Sequence, residues 1–200
     1  QVNINGIVNA LQSVGGGLKN DGNLVFISPQ GMVVGASGVL NVGSLSVITP
    51  NQSGYDTLKS TLNLPAAQYI PEEATVVKVD PDDPSTWTME INKYSDYKTN
   101  VQNVSTTLDL SSITPGNESG NVINIDGAVI ARGNVELKGG NVAIGNGGLL
   151  VAGVGGNTDV LKTEDAAKTL FDNLVATDNM TSGNAFASSN GKITIVSKTG

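Results

Sequence analysis

Gly22-Asn23-Leu24-Val25-Phe26-Ile27-Ser28-Pro29-Gln30-Gly31-Met32-Val33-Val34-Gly35-Ala36-Ser37-Gly38-Val39-Leu40-Asn41-Val42-Gly43-Ser44-Leu45-Ser46-Val47-Ile48 is the stretch that decides the fold. It holds four apolar runs, Leu24–Ile27, Met32–Val34, Val39–Val42 and Leu45–Ile48, each too short for a helix. Between them stand Ser28-Pro29-Gln30-Gly31, Gly35-Ala36-Ser37-Gly38 and Gly43-Ser44, residues that preset or tolerate turn dihedrals. Hairpin sheets join longer strands through two-residue Asn-Gly or Asp-Gly turns. Short runs with a corner every few positions are what a coiling chain produces. The expected fold is therefore all-β, a right-handed parallel β-helix (solenoid).

The cadence extends in both directions. Downstream, Val122, Ile123, Ile125, Val129, Ile130, Val135, Leu137, Val142, Ile144, Leu149, Leu150 and Val151 are punctuated by glycines at 127, 133, 139, 140, 145, 147 and 148. Ile193, Ile195 and Val196 supply a further strand within residues 192–197. Upstream, Val2, Ile4, Ile7 and Val8 alternate with Asn3, Asn5 and Gly6. Gly15-Gly16-Gly17 and Asn20-Asp21-Gly22-Asn23 then read as a loop. The expected interior is one stack of Leu24, Phe26, Met32, Val34, Val39, Val42, Leu45 and Val47 with Ile125, Val129, Val135, Leu137, Val142 and Ile144.

Residues 51–120 break the cadence. They hold most of the prolines, all four tyrosines, the single tryptophan and the acidic run Asp80-Pro81-Asp82-Asp83-Pro84. Residues 75–79 and 87–91 read as two strands flanking that run, an extra-helical hairpin with Trp87 and the tyrosines packed on the flank of the solenoid. Residues 163–176 change period: Ala167, Leu170, Phe171 and Leu174 fall at i, i+3, i+4 and i+7, with Thr163 as N-cap and Glu164 and Asp165 in the first turn. That predicts one short amphipathic α-helix lying across a solenoid face. The resulting organisation is residues 1–50 as first turns of the solenoid, 51–120 as excursion, 121–155 as continuing turns, and 156–200 as helix and terminal strand.

Composition narrows the function classes. A chain of 200 residues can bury one sizeable core without a staple. The net charge of −7, with 11 scattered basic residues, excludes nucleic acid as a partner class, because phosphate binding draws on clustered Lys and Arg. No apolar run approaches the roughly 18 residues of a membrane span, and Gln1 opens without a basic-then-apolar leader, so a soluble, mature or trimmed chain is expected. With no His and no Cys, catalytic triads, thiol nucleophiles and the common zinc sites are out of reach, and no pair of acids stands at a recognisable spacing. The chain is expected not to be an enzyme and to need no cofactor or metal. Cysteine-free composition suits an exported protein.

The run 22–32, followed by Gly35, Gly38 and Asn41-Val42-Gly43-Ser44-Leu45, resembles the secretion domain of two-partner-secretion exoproteins. This is the haemagglutination-activity, filamentous-haemagglutinin-like family, and the variant is leukotoxin-like. There, an apolar strand enters an Asn-Pro-Asn-Gly-Ile turn, then a Gly-rich corner, then an Asn-Val-Gly-like turn. Here the first turn reads Ser28-Pro29-Gln30-Gly31-Met32, so Pro and Gly match while both asparagines are replaced; Asn3-Ile4-Asn5-Gly6 fits the preceding strand. The family's further N-terminal Asn-Pro-Asn-Leu-like cap has no counterpart, so Gln1 is read as a boundary. The resemblance covers residues 1–50 and, in pattern, 121–151. It implies a non-catalytic N-terminal secretion and folding-template module of a secreted or cell-surface bacterial adhesin. It also implies transient passage through an outer-membrane β-barrel pore, with Ser28, Pro29, Gln30, Gly31, Asn41 and Gly43 as the secretion-motif residues.

Each candidate has a plainer structural role. Ser28 to Gly31 is a good turn in its own right, and Asn41 and Asn124 are candidates for buried internal asparagine ladders. Asp80, Asp82 and Asp83 lack the spacing, Gly and distal Glu of a calcium loop and read as a solvated turn. Gly15-Gly16-Gly17 lacks the following Lys-Ser or Lys-Thr of a phosphate loop. Two further function classes stand beside secretion. Tyr55, Tyr69, Trp87, Tyr94 and Tyr97 would make the excursion a contact module for a host-cell or bacterial surface receptor. Arg132 and Lys138 stand where a β-helix polysaccharide lyase or hydrolase keeps its basic residue, without clustered acids beside them.

Overall fold

The computed structural model describes residues 1–14, 17–62, 74–77, 88–91, 109–153, 165–166, 168–169, 172, 181–182, 186–188 and 190–198. Strands of three to five residues cannot satisfy their own backbone groups, so each must find a neighbour from elsewhere in the chain. The neighbour is a strand one passage later. The first passage runs through β1 (Val2–Ile4), β2 (Ile7–Asn9) and, after a short antiparallel hairpin of β3 (Gln12–Val14) and β4 (Gly17–Lys19), β5 (Leu24–Ile27). The second runs through β6 (Met32–Val34), β7 (Val39–Val42) and β8 (Leu45–Ile48).

A helix, α1 (Gln52–Leu62), and a hairpin of β9 (Ala74–Val77) and β10 (Thr88–Ile91) precede the third passage, β11 (Val122–Ile125), β12 (Ala128–Ala131) and β13 (Val135–Gly139). The fourth comprises β14 (Asn141–Ile144), β15 (Leu149–Ala152), the short strands β16 (Thr181–Ser182) and β17 (Phe186–Ser188), and β18 (Ile193–Ser197). Three sheets result. The first orders its strands β1-β6-β11-β14, the second β2-β7-β12-β15-β17-β16 and the third β5-β8-β13-β18. All neighbours are parallel except β16 and β17.

Parallel register lines up like with like. In the first sheet Val2, Met32, Ile123 and Val142 share one row and Ile4, Val34, Ile125 and Ile144 the next. In the third, Leu24, Leu45, Val135 and Ile193 form a row, as do Phe26, Val47, Leu137 and Ile195. Val8, Leu40, Val129 and Leu150 do the same in the second. Apart from Ile195, which is 40% exposed, these rows make one hydrophobic core, its middle members fully buried.

Val39 departs from the expected stack. It is buried, but it lies on the other side of β7 from Leu40, outside the core cluster, because side chains alternate along a strand. Leu40, in register with Val8, Val129 and Leu150, takes the inward place. The centre of the second sheet is buried on both faces: β7 and β12 expose no residue. Lys168 lines a small hollow with Val39, Ala128 and Leu149, which places it at that outer face. Residues 165, 166, 168, 169 and 172 are helical, in keeping with the predicted helix; its apolar members Ala167, Leu170, Phe171 and Leu174 lie outside the described residues.

The excursion corrects one expectation and carries another. Its hairpin pairs Ala74 with Ile91 and Val77 with Thr88, close to the predicted strands, but α1 precedes it where no helix was expected. Tyr55, Leu58 and Leu62 fall at i, i+3 and i+7, and the polar and glycine residues around them obscure that face. Of the glycine run, Gly17 opens β4 and pairs with Val14, and Gly15 and Gly16 lie outside the described residues.

Burial decides which apolar position is indispensable. Leu45→Asp places a charge in the core, where Leu45 is 1% exposed, whereas Val25→Asp alters a side chain 44% exposed on the outer face of β5. The first is expected to cost several kcal/mol and the second less than about 1 kcal/mol, read as the shift in denaturant midpoint.

Candidate functional site

The Ser28 to Gly31 turn sits at the corner between the third and first sheets. Pro29 presets the second turn position, and the Gly31 amide donates to the Ser28 carbonyl at 3.2 Å. Gly31 has φ +79°, and a Cβ there would collide with the carbonyl oxygen of Val122. Glycine is required twice over at this position, by backbone conformation and by space. Its carbonyl accepts from the Val2 amide at 3.0 Å, tying the turn to the start of the first passage. Pro29 and Gly31 are buried, Ser28 is half-buried and Gln30 is exposed.

One side chain joins this turn to the rest of the corner. Asn121 is fully buried; its Nδ2 donates to the Pro29 carbonyl at 3.0 Å and the Pro50 carbonyl at 2.8 Å, and its Oδ1 accepts from the Glu118 amide at 2.7 Å. The Asn121 carbonyl accepts from the amides of Gly140 at 2.8 Å and Asn141 at 3.1 Å. A single residue therefore touches the corners of successive passages, with all its amide hydrogens used. Sequence reading missed it. The only signal was an Asn standing between Gly120 and the apolar run of β11.

The same corner is the neck of the excursion. The Asn117 amide donates to Asn51 Oδ1 at 2.9 Å, the Gly116 amide to the Thr49 carbonyl at 2.8 Å, and the Gln52 amide to Glu118 Oε2 at 3.3 Å. The last contact puts a carboxylate at the N-terminus of α1, where unsatisfied amides favour negative charge. Residues 52 and 117 thus leave and return at one point.

The other residues expected to form a secretion motif lie elsewhere. Asn41 is inside β7 in the second sheet, buried, with its Nδ2 donating to Asn9 Oδ1 at 2.9 Å and its Oδ1 accepting from Arg132 at 2.6 Å. Gly43 forms the corner between the second and third sheets, donating to the Gly22 carbonyl at 2.8 Å. Asn41 and Asn124 do not share a ladder. Register sets Asn41 beside Asn9 and Ile130, whereas Asn124 is half-buried in the first sheet, beside Val33, and bonds Asp126 at 2.7 Å.

Among the aromatic candidates Tyr55 is described: it is half-buried on α1, with Lys59 Nζ 4.9 Å from its ring centre. Tyr69, Trp87, Tyr94 and Tyr97 lie outside the described residues, as do Asp80, Asp82 and Asp83. Lys138 pairs with Glu136 at 2.9 Å on the outer face of β13. The Ser111 hydroxyl and amide hold the exposed Asp109 carboxyl below its usual range, and Lys59 and Gln52 do the same for Asp56. No group of three metal-ligating side chains occurs among the described residues, and no helix there is long and apolar enough to cross a membrane.

Comparison with protein-family models, with curated proteins and with solved structures finds no match.

Removing the Asn121 side chain would leave two carbonyls and one amide unpaired in a buried corner. Asn121→Ala is expected to destabilise by about 2–4 kcal/mol, against less than about 1 kcal/mol for Asn117→Ala, whose backbone amide still reaches Asn51. Equal melting of the two variants would show that Asn121 does not hold the corner.

Proposed function

We propose that this chain is a right-handed parallel β-helix serving as a non-catalytic secretion and folding-template module of a secreted or surface-exposed bacterial exoprotein. The observation that supports this reading most directly is the in-register parallel stacking of four passages over the same three sheets, with the Ser28 to Gly31 turn at one corner. Parallel β crossovers are right-handed in nearly all proteins, which supports the hand. Each passage presents an edge of unpaired backbone groups to the next, so a chain emerging from a pore can add strands one at a time to a formed template. A cysteine-free sequence has no disulfide to obstruct threading through an outer-membrane β-barrel. Turn residues Pro29 and Gln30 are the groups a pore would read, Gln30 being exposed.

The neck favours a second role within the same protein. Because residues 51–52 and 116–118 close on each other, the excursion can present Tyr55 and its neighbours to a surface receptor without disturbing the sheets.

Export separates the secretion role from mere folding. In a host carrying a matching pore, Pro29→Ala/Gln30→Ala is expected to reduce the secreted fraction several-fold, while the purified variant melts within a few degrees of the parent. Undiminished secretion would refute the role assigned to the turn.

A further inference from the structure

The outer face of the third sheet carries a polar cleft that neither the turn nor the excursion accounts for, and we propose that it binds an acidic saccharide, a sugar chain bearing carboxylates. The cleft measures about 330 Å3 and is built by residues 44–46, 134–136 and 192–194. That is the lower end of the volume range of small-ligand sites. Register sets Ser46, Glu136 and Thr194 side by side in one row across three parallel strands, with about 4.8 Å between neighbours. All three are half-buried and alternate with the inward Leu45, Val135 and Ile193, so they face out of the fold.

Their hydrogen-bonding capacity is open. Among the described residues no bond engages the hydroxyls of Ser46 or Thr194, whereas Asn134 is committed to the rim, accepting from the Lys192 amide at 2.9 Å and donating its own amide to Ser44 at 3.2 Å. A row of hydroxyl, carboxylate and hydroxyl suits the donors and acceptors of a sugar ring. Val25, exposed and in register with Ser46, extends the row with an apolar surface for the ring's C–H face.

Charge selects among sugars. Glu136 is already met by Lys138 at 2.9 Å, while Lys192 is exposed and forms no ion pair among the described residues. The Lys192 ammonium at the cleft can meet one carboxylate of the sugar chain, which would gain a charge-assisted hydrogen bond there. This site stands independently of the export role, so either can fail alone.

The whole protein should be titrated by calorimetry with tetragalacturonate and with neutral maltotetraose, at low and at raised salt. Tetragalacturonate is expected to bind with a low-millimolar or tighter Kd, weakened by salt, with maltotetraose at least about tenfold weaker, the factor of one charge-assisted bond. Lys192→Gln should erase that preference, and Thr194→Val should weaken both sugars without shifting the melting temperature. Absence of tetragalacturonate binding at millimolar concentration, equal affinity for the two sugars, or unchanged binding in Lys192→Gln would each overturn the proposal.

Discussion

In-register parallel pairing is the constraint on which the rest of this structure depends. Once β6 lies beside β1 with Met32 against Val2, every later strand of that sheet must place its apolar residues in the same rows, or an inward position becomes polar. The demand is local but repeated, since a one-residue slip anywhere exchanges the two faces. It explains why the core rows are apolar from one passage to the next. A row such as Leu24, Leu45, Val135 and Ile193 is apolar in every passage.

Pairing fixes the walls, and the corners fix the turns. At the corner between the third and first sheets, Gly31 supplies a left-handed dihedral in a place with no room for a side chain, and Asn121 bonds carbonyls from successive passages. A buried amide with every hydrogen committed specifies one arrangement more sharply than apolar packing, because any alternative leaves polar groups unpaired. Asn9, Asn41 and Arg132 play a comparable part on the outer side of the second sheet.

Much of the strand pattern was legible because it rests on local information. Leu24–Ile27, Met32–Val34, Val39–Val42 and Leu45–Ile48 are strands with the bounds that their flanking turn residues suggest. What was not legible depends on partners distant in sequence. Choosing Val39 over Leu40 as the inward residue needs knowledge of which face of β7 meets the core, and both faces are buried there. The helix α1 was obscured because only Tyr55 and Leu58 mark its less exposed side among polar neighbours. Asn121 could not be singled out because its partners Pro29 and Pro50 are 92 and 71 residues away. The cleft was hidden for the same reason: Ser46, Glu136 and Thr194 become neighbours only through register.

The neck has a consequence for how such a chain can change over generations. Because Asn51 and Asn117 meet, the loop between them costs an entropy that grows only with the logarithm of its length, about 0.6 kcal/mol for each doubling. A lineage could lengthen, shorten or exchange this segment while the sheets barely register the difference. Variation that would be lethal inside β7 or β13 is nearly free here. This corner is where an unchanged scaffold could carry a changed cargo.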